Sequence, residues 1–291
     1  MLKRSLRCVF TFFILFVCFA TSFSQQVKEP TGGNPEWSKA YEPFRVAGNL
    51  YYVGTYDLGC YLITTPKGHI LINTGLASSY DLIKANVTKL GFKFNDIKTL
   101  LTTQAHFDHT GALAAIRKET GASMMVDEKD AAVMEDGGLS DYAFGGSVMF
   151  APVKADRKLK DNDVVALGDM KLTHLHHPGH TKGSCSYLFD VKDDKGTYRV
   201  LLANLPTIVT DKHLDAIAVY PEIAKDYSYT LKALKSLSFD LWVASHASQF
   251  DLHKKRKPGD TYNPEVFRDR EGYDKALDEL QAAYDEKIAE K

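Results

Sequence analysis

The segment from Gln104 to His109 brings an amide, two imidazoles and a carboxylate into six consecutive residues, Gln-Ala-His-Phe-Asp-His. It follows an apolar run typical of a strand and precedes a run typical of a helix. Alternate residues of an extended chain project to one side, so positions 104, 106 and 108 can share a face, and a turn can bring His109 beside them. Nitrogen and carboxylate donors at this density suit zinc. The alternative, loop histidines without a ligand, fits a lone histidine better than this cluster.

Two further histidines lie in settings that suit the same role. His180 is in a Gly-His-Thr turn between predicted strands, and His246 comes directly after the apolar strand 241–244. Active sites of α/β proteins form at strand ends, so both are candidate ligands. The other six histidines lack this context, and we expect structural or surface roles for them. They are His69, His174, His176, His177, His213 and His253.

The elements that must position these residues follow from the pattern of apolar residues. Short β-branched and aromatic runs between Gly and Pro turns predict strands at 50–53, 60–64, 70–72, 99–102, 123–126, 164–167, 171–176, 184–189, 198–203 and 241–244. Helices are predicted at 76–90, 111–118, 129–134 and 224–237. A last helix has one apolar stripe, expected to pack on the sheet, formed by Tyr273, Leu277, Leu280, Tyr284 and Ile288. Clustered strands separated by helices indicate an α/β layered fold.

Residues 135–163 have a weak pattern and predict a long loop. The segment holds two glycine pairs and many polar residues. Long loops in compact domains are often lids or binding flaps, and the alternative is a disordered insertion. Tyr142 and Phe144 lie in this segment, and we predict that they form part of a flap over the substrate.

The N-terminal 24 residues have the pattern of a secretory signal. Three basic residues precede an apolar run over 8–21, and small residues follow at 22 and 24. We therefore predict cleavage before Gln25 and one domain over 25–291. An uncleaved membrane anchor is the first alternative, although the apolar run is short for a span of roughly 20 residues. A lipid anchor at Cys18 is the second, and the bulky Val17 before it is unfavourable.

Composition limits the function classes. The whole chain has 291 residues and a net charge of −1, and removal of the signal leaves 267 residues and a net charge of −4. A dedicated nucleic-acid binder usually has a basic surplus, so that class is disfavoured. Cys60 and Cys185 remain after cleavage. An oxidising compartment permits a disulfide between them if the geometry allows it, and we expect two buried free thiols instead.

The segment 104–109, the Gly179-His180-Thr181 turn and the later His246 resemble the metallo-β-lactamase superfamily over about residues 51–253. Gln104 stands where the usual His-x-His-x-Asp-His motif of that family has its first histidine. Together with segment 244–251, this departure resembles the Gln-variant, GOB-type branch of subclass B3. The resemblance implies a four-layer αβ/βα sandwich, with two mixed sheets flanked by helices and the metals at one edge.

The resemblance also implies the ligands and the reaction. One zinc is expected to bind Gln104, His106 and His180, and the other to bind Asp108, His109 and His246. The implied reaction is hydrolysis of the β-lactam amide of penicillins, cephalosporins and carbapenems by zinc-activated hydroxide, which confers antibiotic resistance. Asp108 would orient the nucleophile. Because an amide oxygen is a poorer zinc donor than imidazole, we expect one or two zinc ions per chain, with the Gln104 site weaker.

Three further positions matter by resemblance. Thr207 lies where subclass B3 relatives place a hydroxyl that contacts the substrate carboxylate, and the alternative is a plain loop threonine. Leu205 replaces a common Cys or Ser beside the second metal, so it would present an apolar wall and no thiolate. Asn73 replaces a commoner Asp.

Fold alone does not fix the substrate, so other functions stay open. A secreted lactonase is the best enzymatic alternative. A periplasmic zinc-binding protein is the non-enzymatic one, although an open site with the Asp108 carboxylate suits catalysis better than storage. Secretion and the acidic charge disfavour a cytosolic thioesterase and a nuclease. We expect a periplasmic monomer that acts on a small molecule, without nucleic acid and without a membrane after cleavage.

Overall fold

The computed structural model describes residues 27–30 and 33–290 of the chain. The predicted signal over 1–24, its cleavage site and Cys18 lie outside these residues. Within the described part, no helix is long and apolar enough to cross a membrane.

The first sheet has seven strands in the order of the sequence. They are β1 (Phe44–Ala47), β2 (Leu50–Tyr52), β3 (Tyr61–Thr65), β4 (Gly68–Ile72), β5 (Ile97–Leu101), β6 (Ser123–Asp127) and β7 (Arg157–Leu159). Strands β1 to β4 are antiparallel neighbours, whereas β4 to β7 run parallel. The parallel strands therefore end at one edge of the sheet, and after β4, β5 and β6 the chain passes into helices.

The second sheet has five strands in the order β12, β11, β10, β9 and β8. They are β8 (Val164–Leu167), β9 (Met170–His176), β10 (Cys185–Lys192), β11 (Thr197–Ala203) and β12 (Leu241–Ala244). Only β11 and β12 are parallel in this sheet, and the other pairs are antiparallel. Both sheets are therefore mixed.

Seven α-helices connect or cover the strands in the described residues. They are α1 (Tyr80–Lys89), α2 (Phe107–Thr110), α3 (Leu113–Thr120), α4 (Ala131–Glu135), α5 (Ile223–Ser236), α6 (Leu252–Lys255) and α7 (Arg270–Ala289). Short 3-10 helices are at Pro35–Trp37, Ala77–Ser79, Phe94–Asp96, Leu214–Ala216, Ser248–Phe250 and Pro264–Phe267.

The first sheet is buried on both faces, as β4 illustrates. Ile70 and Ile72 pack into a core that contains residues of both sheets, whereas Leu71 packs into a second core with residues of α1, α3 and α4. This division follows from the alternation of side chains along a strand. The predicted α/β sandwich of two mixed sheets flanked by helices is confirmed.

Several element boundaries differ from the predictions. Strand β1 was not predicted, and β7 lies inside the segment predicted as one loop. Both are short strands at the edges of the first sheet, where polar side chains such as Arg45 and Lys158 are exposed and hide the strand pattern. The predicted helix 76–90 begins with a 3-10 turn, and the predicted helix 111–118 is α3, which starts two residues later.

The segment between α4 and β7 is packed against the domain. Phe150 and Val153 are buried, and Met149 exchanges two backbone hydrogen bonds with Lys28, at 2.8 and 2.9 Å. The alternative of a disordered insertion is therefore wrong. In α7, Tyr273 and Leu277 of the predicted stripe are buried, but Ile288 at its end is 41% exposed and does not pack on the sheet. Cys60 and Cys185 are buried free thiols, as predicted.

Candidate metal centre

The candidate ligands lie on loops that leave adjacent strand ends. The turn 102–106 follows β5, the turn 177–184 joins β9 to β10, and residues 245–247 follow β12. Backbone hydrogen bonds tie these loops together: Cys185 N–H donates to Thr103 O at 2.8 Å, and Gly59 N–H donates to Ser245 O at 2.9 Å. The two sheets therefore meet at the strand ends where the sequence predicts the site.

Asp108, His109 and His246 form one cluster of donors. Asp108 Oδ2 lies 3.3 Å from His109 Nε2 and 3.4 Å from His246 Nε2. Their ligand atoms all fall within 4.8 Å of one another. Two nitrogen or oxygen ligands of a tetrahedral zinc stand about 3.3 Å apart, given bonds of about 2.05 Å. The spacing of this cluster therefore fits a zinc ion.

His106 and His180 form the second half of the centre. His106 Nδ1 faces His180 Nε2 at 3.2 Å, and both side chains are buried. Gln104 is buried in the same turn, two residues before His106. The imidazole spacing again matches two ligands of one zinc.

His109 provides an independent test of whether the residues fit a metal. Both of its ring nitrogens are buried and neither makes a well-aligned hydrogen bond, although Nε2 lies 3.3 Å from Asp108 Oδ2. A buried polar atom without a partner costs about 1–3 kcal/mol, so such atoms are rare in folded proteins. A metal at Nε2 would satisfy one of them, and this supports the zinc centre.

The electrostatics of the centre favour a cation. Burial raises the pKa of Asp108, but His109 and His246 outweigh it and hold that pKa well below its ordinary value. Burial also opposes ionisation of Asp57, yet the contact with His246 lowers its pKa to about 2. Burial lowers the pKa of His246, but the two carboxylates raise it to about 9. Burial lowers the pKa of His180 to about 3. An ionised carboxylate and a neutral imidazole are the forms that bind metal, so Asp108 and His180 are ready to bind, whereas His246 must lose a proton when metal binds.

Asp57 is a functional residue that the sequence analysis missed. Its Oδ2 lies 3.2 Å from His246 Nδ1, across 189 positions of sequence, and accepts a hydrogen bond from Trp37 Nε1 at 3.1 Å. Its Oδ1 accepts from Ser248 N–H at 2.9 Å. A carboxylate on the second nitrogen of a ligand histidine fixes the ring and its tautomer. No motif around Asp57 signals this role, because its partner is distant in sequence.

Asp130 joins the two loops that hold the first site. One oxygen accepts from Ala105 N–H at 2.9 Å and from Thr181 Oγ1 at 2.7 Å, and the other accepts from Gly183 N–H at 2.7 Å. Ala105 lies between Gln104 and His106, and Thr181 follows His180 in the chain. Asp130 therefore fixes the separation of the two ligand loops, a role that its position before α4 did not reveal.

Asn73 makes hydrogen bonds that hold the turn 102–106 in place. It adopts the left-handed conformation at φ 61°, which asparagine tolerates better than most residues. Its Oδ1 accepts from Thr103 N–H at 2.9 Å, and its Nδ2 donates to Gly59 O at 3.4 Å. The amide thus has both a donor and an acceptor in use, which a carboxylate could not offer.

Of the four predicted substrate residues, three contact the candidate ligands or their loops, and Leu205 lies in the core. His180 Nδ1 lies 2.7 Å from Thr207 O and 3.1 Å from Thr207 Oγ1, so Thr207 holds this ligand. Phe144 lies against the His106 ring, with centroids 4.9 Å apart. Tyr142 donates toward the carbonyls of Gly179 and His180, at 3.1 Å each. Leu205 is only 3% exposed and packs in the core between the sheets. Substrate contact by these side chains stays a prediction.

Comparison with known proteins agrees with this geometry. The family model described as the metallo-beta-lactamase superfamily matches residues 60–194. The chain is 63% identical to the class B3 di-zinc metallo-beta-lactamase LRA-12 from an Alaskan soil metagenome, with a TM-score of 0.89, and the match covers 90% of this chain and 100% of that chain. It is 57% identical to the metallo-beta-lactamase GOB-18 from Elizabethkingia meningoseptica, with a TM-score of 0.90, over 91% of this chain and 98% of that chain.

Curated relatives are more distant. A hydroxyacylglutathione hydrolase of Rhodopseudomonas palustris is 29% identical over 138 residues, which are 47% of this chain and 45% of that relative. The chain thus spans about half the length of this relative. The predicted resemblance to subclass B3 and its Gln-variant branch is confirmed by the solved structures.

Proposed function

The chain belongs to the metallo-β-lactamase superfamily, and we propose that it is a zinc-dependent hydrolase that opens the β-lactam ring of antibiotics. The observation that supports this most is the 63% identity over the whole length of a class B3 di-zinc enzyme. The donor cluster of Asp108, His109 and His246 supports it independently, since its spacing fits zinc.

Each residue of the centre has a proposed task. Bound zinc would supply Lewis acidity and lower the pKa of water at the site to about 7. Gln104, His106 and His180 would hold the first ion, and Asp108, His109 and His246 the second. Asp108 is also the catalytic residue, because its ionised carboxylate can accept a hydrogen bond from the attacking water and orient it. Since an attacking water needs no covalent enzyme intermediate, no serine nucleophile is required.

The substrate contacts are part of the same proposal. Phe144 covers the His106 ring and would form an apolar wall of the substrate cleft. The Thr207 hydroxyl would bind the substrate carboxylate in addition to its contact with His180. We extend the proposal to Tyr142 as an outer part of that wall and to Leu205, which is buried, as apolar packing behind it. The substrates would include penicillins, cephalosporins and carbapenems, and the reaction would confer resistance to them.

The cellular setting is likewise proposed. The pattern of residues 1–24 supports export and cleavage before Gln25, so that residues 25–291 act as one domain in the periplasm. We propose a monomer that binds a small molecule and needs neither nucleic acid nor membrane.

Hydrolysis of a chromogenic cephalosporin by purified protein tests the activity. We expect rapid ring opening that exceeds turnover of simple lactones and thioesters under the same conditions. Asp108→Ala protein, with its fold verified by circular dichroism, is the matched control, because the substitution removes the oriented carboxylate. Turnover of lactones without turnover of any β-lactam would contradict the proposal, and so would equal activity of the control.

Gln104 is expected to make the first site the weaker one. Replacing Gln104 with His supplies an imidazole in place of an amide oxygen, so zinc affinity of the first site should rise by roughly tenfold. Competition with a chelator measures both dissociation constants. Gln281→His, on the distant helix α7, is the control and should change neither constant. Equal tight retention of two zinc ions by wild-type and Gln104→His protein would contradict the expectation.

A further inference from the structure

The first metal site has no charged ligand of its own. Its proposed donors are one amide and two imidazoles, whereas the second site includes the carboxylate of Asp108. A neutral donor set holds zinc less firmly than one with a carboxylate, because charge attraction is lost. A carboxylate that contacts this donor set is that of Asp141, which no sequence motif indicated.

Asp141 faces the nitrogen of His106 that points away from the metal centre. Its Oδ2 lies 3.3 Å from His106 Nε2, while His106 Nδ1 faces His180. The side chains of Asp141 and His106 are 4% and 3% exposed, so water screens the pair little. At this distance the carboxylate interacts electrostatically with the neutral imidazole, since His106 Nε2 makes no well-aligned hydrogen bond. The carboxylate favours the tautomer with the proton on Nε2, which leaves Nδ1 free to bind metal.

The surrounding turn holds Asp141 in this orientation. Its Oδ1 accepts from Ala143 N–H at 2.9 Å and from Phe144 N–H at 2.7 Å. The other oxygen is therefore directed at His106. Phe144, from the same turn, packs its ring against His106 with centroids 4.9 Å apart. The turn 141–144 therefore places both the Asp141 carboxylate and the apolar Phe144 ring against His106.

Asp57 and His246 repeat this arrangement at the second site. Asp57 Oδ1 accepts from a backbone N–H, that of Ser248, while Oδ2 lies 3.2 Å from the outward nitrogen of His246. Each site therefore has one ligand histidine backed by one buried carboxylate. The second site already has a ligand carboxylate, but the first has none.

We propose that Asp141 is a positioning residue that offsets the weak Gln104 donor by fixing the tautomer of His106 and adding negative charge beside the first metal site. The inference rests on the proposed zinc centre and not on the identity of the substrate. It assigns the turn 141–144 a part in metal retention, in addition to any part in covering the substrate.

Paired substitutions separate this role from a general structural one. In Asp141→Asn the amide oxygen is expected to stay on the Ala143 and Phe144 N–H groups, so its NH₂ group faces His106. An NH₂ donor favours the tautomer with the proton on Nδ1, which blocks metal binding at that nitrogen. Zinc affinity of the first site should then fall by about 10- to 100-fold, with the second site unchanged. Asp57→Asn is the matched control and should weaken only the second site.

Two measurements on the full protein give the readout. Chelator competition yields the zinc dissociation constants, and ¹¹³Cd NMR of the cadmium-loaded protein gives one resonance per site. The first-site resonance is assigned from its shift in Gln104→His. We expect Asp141→Asn to move or broaden that resonance alone, and Asp57→Asn to affect the other.

The outcomes separate the two hypotheses. Unchanged affinity of both sites in Asp141→Asn, while wild-type protein binds two zinc ions, would overturn this inference and leave the proposed function intact. Equal weakening of both sites together with a lower melting temperature of the metal-free protein would also overturn it, since the role would be structural. Failure of wild-type protein to bind zinc at all would remove the proposed function and the inference with it.

Discussion

Replacing Asp108 with Asn is expected to lower kcat/KM for a cephalosporin by about 10³-fold, because both metal binding and orientation of the attacking water depend on this carboxylate. Asp108 Oδ2 contacts His109 and His246 at 3.3 and 3.4 Å, so it is the centre of the donor cluster. An amide in its place removes the only formal charge among the proposed ligands and binds zinc more weakly. Steady-state kinetics and zinc content of the purified variant measure the two effects together.

Asp127→Asn is the matched control for this experiment. Asp127 is also buried and also contacts two histidines, with Oδ2 at 2.7 Å from His176 Nδ1 and 3.3 Å from His174 Nε2. It lies outside the ligand set, so its replacement should lower thermal stability and leave zinc content unchanged. If Asp108→Asn retained two zinc ions and near wild-type kcat/KM, the assigned role of Asp108 would be wrong.

Replacing Asp130 with Ala is expected to have the second largest effect. The substitution leaves Ala105 N–H, Gly183 N–H and the Thr181 hydroxyl without their acceptor in a buried position. Each such loss costs about 1–3 kcal/mol, so the free energy of unfolding should fall by about 3 kcal/mol or more. The two ligand loops should also separate, and a ligand displacement of about 1 Å can lower kcat/KM by roughly 10²-fold. Urea unfolding and kinetics measure both.

An exposed carboxylate provides the control for Asp130. The Asp215 side chain is 81% exposed, and its contact with His213 is long, at 3.8 Å. Asp215→Ala should change the free energy of unfolding by less than about 0.5 kcal/mol, as is usual for surface positions. A similar small change in Asp130→Ala would mean that the three hydrogen bonds do not stabilise the ligand loops.

The sequence was sufficient to propose those ligands that are close together or that follow a strand. Gln104, His106, Asp108 and His109 lie within one strand-to-helix turn, so local periodicity indicated that they converge. His246 was found because it directly follows the buried strand β12. These residues owe their positions to local backbone structure, which the apolar pattern predicts.

The carboxylates that contact the proposed ligand histidines, Asp57 and Asp141, could not be predicted from local sequence patterns. Asp57 meets His246 only because the β2–β3 loop crosses the end of β12, and Asp141 lies in a segment whose weak pattern predicted a loop. A contact of this kind depends on how the two sheets pack, which no local pattern encodes. Strands β1 and β7 were missed for a related reason, since pairing at a sheet edge tolerates exposed polar side chains.

Return of zinc to metal-free protein tests the central claim most directly. The protein is stripped with a chelator, dialysed and titrated with zinc, while hydrolysis of a chromogenic cephalosporin is followed at each addition. We predict negligible activity without metal, and recovery that rises with zinc until the metal centre is filled. Full β-lactam hydrolysis by the stripped protein, or none after zinc is bound at the centre, would contradict the account.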